Sequence, residues 1–211
     1  MKTYKLHFIR HGLTEGNKQG YYVGTKDLPV CDEGIMEINK ILEEADYPYI
    51  DKLYTSPMVR CRQTAGLIYP NMKQNVIEEM REMNFGDFEG RTYKELQEDE
   101  TYVKWLENSL ENTPPHGETT PEFLDRLLKG LGKIFSDMME NGITSAALVT
   151  HGGVMMNLFA AIGLPKKKIS EWLCPNAFGY TVFLTPQMWM RDNAIEIFDT
   201  LPKAKENPDE I

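Results

Sequence analysis

YKLHFIRHG, residues 4–12, is a short apolar run that ends in Arg-His-Gly. AALVTHGG, residues 146–153, has the same form and ends in His-Gly-Gly. Such runs before glycine are typical of buried strands that enter a turn. Ligands of α/β sheets bind beyond the carboxyl ends of the strands. We therefore expect His11 and His151, two of only four histidines, to lie together at one edge of a sheet.

The rest of the chain alternates between strand-like and helix-like segments. Asp32 is the expected N-cap of one helix, and Ser56-Pro57 is the expected start of another. Further helices are expected at residues 92–107, 118–140 and 153–162, and strands at 4–9, 52–55, 145–150, 178–184 and 194–199. The alternation predicts a three-layer α/β/α sandwich with a mostly parallel central sheet.

Length and composition limit the possible functions. A chain of 211 residues fits one domain, and a net charge of −9 argues against a general binder of nucleic acid or anionic membranes. Three cysteines, none in a Cys-x-x-Cys pair, favour a reducing cytoplasm. No stretch has the length and apolarity of a membrane span. Neither histidine nor cysteine spacing suggests a metal site.

Five residues lie at the ends of the strand-like runs: Arg10, His11, Ser56, Arg60 and His151. Arginine presents a planar fork of donors that matches phosphate oxygens, and neutral histidine offers a nucleophilic nitrogen. A phosphoryl group held by such a set can be attacked in line by a histidine nitrogen. The leaving alkoxide then needs a proton, which the acidic segment 78–90 could supply.

The order of six motifs resembles that of the histidine phosphatase superfamily, in its phosphoglycerate mutase-like branch. The first motif is FIRHGLTEGN at residues 8–17, and the last is VTHGG at 149–153, followed by Asn176-Ala177. Between them lie Asp27-Leu28-Pro29 with Gly34, YTSPMVRCRQTA at 54–65, REMNFGDFEG at 81–90 and His116-Gly117-Glu118. One of these motifs alone would be weak evidence, but six in the family order are specific.

The resemblance implies roles for matching residues. His11 would become the phosphohistidine, and Glu82 would protonate the leaving oxygen and later activate water. The oxygens of the phosphoryl group would be bound by Arg10, Arg60 and His151, with support from Asn17. The resemblance implies no metal and no cofactor. Further candidates for contact with the substrate are His116, Tyr22 and Thr25.

The expected organisation is one domain over residues 1–201, with a helical cap subdomain inserted at about 85–141 and a flexible tail at 202–211. The long segments 12–31 and 108–121 are candidates for loops that cover the substrate. Aromatic residues such as Tyr21, Tyr22, Phe85, Tyr93 and Trp105 could line a leaving-group pocket, although ordinary packing explains such residues more often.

Two kinds of enzyme use this pocket within the family. A mutase needs additional basic residues to bind its carboxylate-bearing substrate. The only arginines and lysines in residues 85–125 are Arg91, Lys94 and Lys104. We therefore favour a phosphatase of small phosphate monoesters, with phosphoglycerate mutase and a non-catalytic phosphate-binding module as alternatives. The partner expected is a small phosphorylated molecule, and the sequence leaves open whether the protein is a monomer or a homodimer.

Overall fold

The computed structural model describes residues 2–205. A main sheet of seven strands has the order β4-β3-β5-β1-β7-β8-β6, and β2 pairs with β9 in a separate two-stranded ribbon. The strands are β1 Tyr4–Arg10, β2 Ala45–Asp46, β3 Lys52–Thr55, β4 Gln74–Val76, β5 Ser145–Thr150, β6 Gly163–Leu164, β7 Gly179–Leu184, β8 Ile195–Leu201 and β9 Lys203–Ala204.

Within the described residues, eight α-helices connect these strands. They are α1 Glu15–Gln19, α2 Asp32–Glu44, α3 Val59–Ile68, α4 Tyr93–Leu96, α5 Glu100–Glu107, α6 Thr120–Glu140, α7 Gly152–Ile162 and α8 Pro186–Asp192. Short 3₁₀ turns occur at Glu78–Met80, Gly86–Phe88 and Ile169–Trp172. Helices α4, α5 and α6 fall within the 85–141 segment expected to form the cap.

Strands β4, β3, β5 and β1 pair in parallel, and β7 is antiparallel to both of its neighbours. Alternate residues of the central strands enter two different cores because successive side chains point to opposite faces of a sheet. Leu6 and Phe8 join a core with α6 and α7, whereas Ile9 joins a core with α2 and α3. Helices thus cover both faces, and the predicted α/β/α sandwich with a mostly parallel sheet is confirmed.

Two helix starts differ from the prediction. Cys31, and not Asp32, is the N-cap of α2, and its side chain makes no capping bond. Helix α3 begins at Val59, three residues after Ser56, and Val59 N–H donates to Oδ1 of Asp27 at 2.7 Å. The first turn of α3 is therefore capped from a distant loop, which local sequence patterns do not reveal.

Part of the segment expected to form the tail takes part in backbone pairing. Lys203 and Ala204 form β9 and pair with Asp46 and Ala45, and Lys205 N–H donates to the carbonyl of Glu44. Backbone pairing orders these residues, which were expected to belong to the tail. The remainder of the expected tail, 206–211, lies outside the described residues.

Candidate active site

The two histidines lie together because their strands are neighbours. Strands β1 and β5 pair in parallel with Arg10 opposite Thr150, so each strand delivers a histidine one residue later. The N–H of His11 donates to the Thr150 carbonyl at 2.9 Å, and the rings of His11 and His151 are 5.3 Å apart, centroid to centroid. Both side chains are buried. The sheet thus brings together residues that are far apart in sequence.

The ring of His11 is oriented by its own backbone neighbour. Its Nδ1 lies 2.8 Å from the carbonyl oxygen of Gly12. A carbonyl can only accept, so Nδ1 carries the proton and Nε2 keeps its lone pair in the neutral ring. Burial, with the charges of Arg60 and Arg10, lowers the pKa of His11 well below 6.5. At neutral pH, therefore, Nε2 is available as a nucleophile.

The ring of His151 lies between a serine and an arginine. Arg60 Nε donates to Nδ1 of His151 at 3.3 Å, which places the ring proton on Nε2. Nε2 then donates to the Ser56 hydroxyl oxygen at 2.7 Å. Burial and the Arg60 charge lower the pKa of His151 well below its usual value. Both ring nitrogens are used, so the ring is fixed in one orientation.

Two backbone carbonyls orient the guanidinium of Arg60, which is fully buried. Its Nη1 donates to the carbonyl of Lys26 and its Nη2 to that of Gly24, both at 3.0 Å. With the bond to His151, three of its five N–H groups are used, and two are left for a ligand. Arg60 is therefore a preorganised donor of hydrogen bonds to phosphate oxygens.

The loop that supplies these carbonyls is anchored on Glu89. Its Oε1 accepts from Thr25 N–H at 2.7 Å and from the Thr25 hydroxyl at 2.9 Å, and its Oε2 accepts from Lys26 N–H at 3.0 Å. A Cβ on Gly24 would overlap the Met83 carbonyl, so only glycine permits this close approach. Glu89 thereby fixes the loop that fixes Arg60.

Arg10 is the residue immediately before His11, at the end of β1. Its Nη1 donates to the Cys174 carbonyl at 2.6 Å, whereas its Nε is buried without a hydrogen-bond partner. Arg10, Asn17 and Asn176 line a cavity of about 310 Å³, which we call the Arg10 cavity. Asn176 also donates to the carbonyl of His11 at 2.8 Å. An unpaired buried donor beside an open cavity is suited to an anion.

The carboxylate of Glu82 lies at the start of α7. Its Oε1 accepts from Met83 N–H and its Oε2 from Gly153 N–H, each at 3.0 Å. A Cβ on Gly153 would lie 2.5 Å from Oε1, so glycine makes room for the acid. Burial raises the pKa of Glu82 above 4.5, against the opposing effects of its backbone hydrogen bonds and of Arg60. Glu82 is thus a carboxyl group suited to proton transfer.

A cavity of about 360 Å³ adjoins Glu82. Its walls come from the 82–85 segment, helices α5, α6 and α7, and the ends of the 108–121 loop. We call it the acid-side cavity. Its aromatic lining residues are Tyr22, Phe85, Trp105 and Phe123.

The comparisons with known proteins agree with this geometry. The model of the histidine phosphatase superfamily (branch 1) matches residues 6–190. The chain belongs to that superfamily. An adenosylcobalamin/alpha-ribazole phosphatase of Salmonella typhimurium is 29% identical over 75% of this chain and 79% of its own length. A 2,3-bisphosphoglycerate-dependent phosphoglycerate mutase of Allorhizobium ampelinum is 28% identical over 68% of this chain and 78% of its own length.

The fold of this superfamily member is similar to solved structures of the same group. The alpha-ribazole phosphatase of Shigella flexneri superposes with a TM-score of 0.77 at 25% identity, covering 96% of this chain and 100% of that structure. Relatives in the family include both phosphatases and mutases. Membership therefore supports phosphoryl-transfer chemistry without specifying whether water or another hydroxyl group accepts the phosphoryl group.

Three candidates for substrate contact have different surroundings in this superfamily member. Tyr22 lines both the acid-side cavity and the Arg10 cavity. Thr25 is bonded to Glu89, and His116 is exposed with its Nδ1 3.0 Å from Asp87. Neither Thr25 nor His116 lines the two cavities. Of the three, Tyr22 alone lines these cavities, and substrate contact by any of them stays a prediction.

Asn17 takes part both in the cap of α1 and in the wall of a cavity. Its Oδ1 accepts from the N–H and hydroxyl of Thr14 in the capping box of α1, while the residue also lines the Arg10 cavity. Its amide oxygen is therefore committed to α1, and its Nδ2 is the atom suited to an anion.

Arg126 was not a candidate in the sequence analysis. From α6 it contacts the backbone beside Glu82 and the carboxylate of Glu118. The motif at residues 116–118 contains Glu118 but gives no indication of its partner.

A cluster of three or more histidine, cysteine or acidic side chains able to bind a metal does not occur within residues 2–205. In the same part of the chain, no helix is long and apolar enough to cross a membrane.

Proposed function

We propose that this protein hydrolyses phosphate monoesters of small molecules through a phosphohistidine formed on His11. The observation that carries the proposal is the orientation of His11, whose Nδ1 donates to the Gly12 carbonyl and whose neutral ring keeps a lone pair on Nε2. The phosphoryl oxygens would be bound by Arg10 and Asn17, which line a common cavity, and by the two unused N–H groups of Arg60.

In the first step, Nε2 of His11 attacks phosphorus, and the bond from phosphorus to the ester oxygen breaks. Glu82 gives its proton to the departing alkoxide, which leaves as an alcohol. The raised pKa of Glu82 supports this role because the acid keeps its proton to a higher pH than an exposed glutamate does.

In the second step, the Glu82 carboxylate takes a proton from a water molecule as the water attacks phosphorus. The P–N bond breaks, inorganic phosphate forms, and His11 returns to its neutral state with Glu82 protonated. His151 would contact the transferred group once one of its bonds to Ser56 and Arg60 is exchanged for a phosphoryl oxygen. No step requires a metal or a cofactor.

A mutase would use the same first step and return the phosphoryl group to another hydroxyl. We favour hydrolysis because the acid-side cavity is lined by no lysine, arginine or histidine within the described residues, so a substrate carboxylate would lack a cationic partner.

The test is the release of inorganic phosphate from a panel of monoesters, measured beside 3-phosphoglycerate with and without 2,3-bisphosphoglycerate. We expect hydrolysis of monoesters and no formation of 2-phosphoglycerate. Isomerisation without release of phosphate would show a mutase, and binding of phosphate with neither reaction would show a non-catalytic module.

A further inference from the structure

We propose that the acid-side cavity binds the alcohol part of the substrate, and that this part is an uncharged, apolar group about as large as an aromatic ring. This inference rests on the proposed function, because it identifies the group that leaves. The leaving oxygen must lie within hydrogen-bond reach of Glu82 to receive its proton. The cavity that adjoins Glu82 and Gly153 is therefore where the rest of the alcohol lies.

The walls of the acid-side cavity favour an apolar occupant. Tyr22 packs edge-to-face on Phe85 at 5.2 Å and on Trp105 at 5.9 Å between ring centroids. Phe85 and Trp105 also pack on each other at 6.1 Å. Methionines 83 and 156 and Phe123 complete the apolar surface. Flat, rigid aromatic walls of this kind match a planar ring better than a small hydroxylated chain.

Two polar side chains of the cavity are satisfied by backbone carbonyls, whereas the indole N–H of Trp105 is buried without a hydrogen-bond partner. The Thr120 hydroxyl donates to the Ser109 carbonyl at 2.8 Å, and Asn157 Nδ2 donates to the Gly153 carbonyl at 2.9 Å. Glu82 is the one carboxyl group among the described residues that line the cavity. A second negative charge on the substrate would thus meet no cation and would lie near an acid. The volume of about 360 Å³ is sufficient for a single small ring system.

The test compares monoesters whose alcohols have similar acidity, so that leaving-group chemistry is matched. Ethyl phosphate, benzyl phosphate and 4-carboxybenzyl phosphate differ in apolar size and in charge. We expect kcat/KM for benzyl phosphate to exceed that for ethyl phosphate by about tenfold or more, because the ring removes more apolar surface from water. We expect the added carboxylate to remove most of that gain.

A positive charge placed in the cavity should weaken the preference for benzyl phosphate over 4-carboxybenzyl phosphate. Leu106 lines the cavity and is half exposed, so Leu106→Lys can introduce an ammonium group without burying it completely. We expect Leu106→Lys to raise kcat/KM for 4-carboxybenzyl phosphate relative to benzyl phosphate by about tenfold. Leu110 is exposed and does not line the cavity, so Leu110→Lys is the matched control and should leave the ratio unchanged.

The outcomes separate this inference from the proposed function. Hydrolysis of all three esters at similar kcat/KM would overturn the cavity assignment and leave the phosphatase intact. A preference for 4-carboxybenzyl phosphate in the unmodified protein would also overturn it. Absence of hydrolysis of any ester, p-nitrophenyl phosphate included, would overturn the proposed function itself.

A second inference follows from α6. We infer that Arg126 is a positioning residue that sets the place of the Glu82 carboxyl group. All five N–H groups of its guanidinium are used: two go to the Glu118 carboxylate at 2.6 and 2.7 Å, and three go to the carbonyls of Glu79, Arg81 and Glu82 at 2.7, 2.8 and 2.9 Å.

These bonds act on the backbone that carries the acid. Segment 79–82 has a short 3₁₀ turn at its start and continues as extended backbone at Arg81, so few bonds of its own hold it. Arg126 and Glu118 are both nearly buried, at 11% and 13% side-chain exposure, so the paired guanidinium is a rigid support. Arg126 does not line the acid-side cavity, and its direct contacts near the acid are with the backbone that carries Glu82.

Arg126→Lys tests this role because it keeps the charge beside Glu118 but cannot reach three carbonyls at once. We expect kcat for benzyl phosphate to fall about tenfold or more, with a much smaller change for p-nitrophenyl phosphate, whose leaving group needs little protonation. Arg191→Met, at an exposed arginine paired with its neighbour Asp192, is the control.

If Arg126→Lys fails to fold because Glu118 loses its partner, the double variant Arg126→Met, Glu118→Leu replaces both members of the pair. Apolar replacement of a whole buried ion pair is often tolerated. Equal losses on both substrates in the folded variants would indicate a general structural effect and would overturn the inference. Unchanged kcat on both substrates would overturn it as well.

Discussion

The backbone N–H of Gly153 donates to Oε2 of Glu82 at 3.0 Å. This bond joins the acid to the first turn of α7, immediately after His151. The start of the helix that follows His151 therefore locates the carboxyl group of Glu82. His11, His151 and Glu82 are thus held relative to one another by the ends of β1 and β5 and the start of α7.

Replacement of Glu82 by glutamine should affect substrates according to their leaving groups. We expect kcat for an alkyl monoester to fall by about 10² to 10⁴, because the alkoxide then leaves without general-acid help. Hydrolysis of p-nitrophenyl phosphate should fall far less. Glu79→Gln is the control, since Glu79 pairs with Lys133 at the surface. Equal losses on both substrates would point to another acid.

The pH profile should reflect the raised pKa of Glu82. The acid must be protonated to serve the first step, so kcat for an alkyl monoester should decline as the pH rises through the pKa of Glu82. Because burial raises that pKa, the decline should begin above 4.5, the ordinary value for glutamate. The decline should be absent from Glu82→Gln, and its persistence in that variant would assign it to a different group.

Glu89 should influence phosphate binding although it lies outside the pocket. In Glu89→Gln, a neutral amide replaces a carboxylate that accepts from residues 25 and 26, so the carbonyls that orient Arg60 are held less firmly. We expect the inhibition constant of vanadate to rise about tenfold, or about 1.4 kcal/mol. Glu95→Gln is the control, because Glu95 accepts similar bonds in the capping box of α4. An equal rise in both variants would rule out a specific effect through Arg60.

His7 should make the protein less stable in acid. Burial lowers the pKa of His7 to about 4, and the ring is bonded to Thr181 and Ser145. Between pH 4 and 6.5 the unfolded chain binds a proton at His7 that the folded chain does not, so the free energy of unfolding decreases as the pH falls. The contribution has a slope of about 1.4 kcal/mol per pH unit. His7→Gln should reduce the slope measured by urea unfolding, and an unchanged slope would contradict the low pKa.

The sequence predicts the parts of the site that depend on strand order and local pattern. His11 and His151 follow strand-like runs of ordinary form, so their meeting at one sheet edge could be inferred from residues 4–12 and 146–153. The start of α3 could not, because Asp27 caps it from a loop more than 30 residues earlier. The contacts of Arg126 with segment 79–82 depend on how α6 packs, which periodicity alone does not specify.

The most direct test of the phosphohistidine mechanism is rapid acid-free quenching of the protein during turnover of a ³²P-labelled monoester, followed by mapping of the label. We expect up to one phosphoryl group per chain, stable in alkali, labile in acid, and attached to His11. The His11→Ala variant should carry no label and show less than about 1% of the unmodified activity. Label on another residue, or turnover that persists in His11→Ala, would contradict the phosphohistidine mechanism.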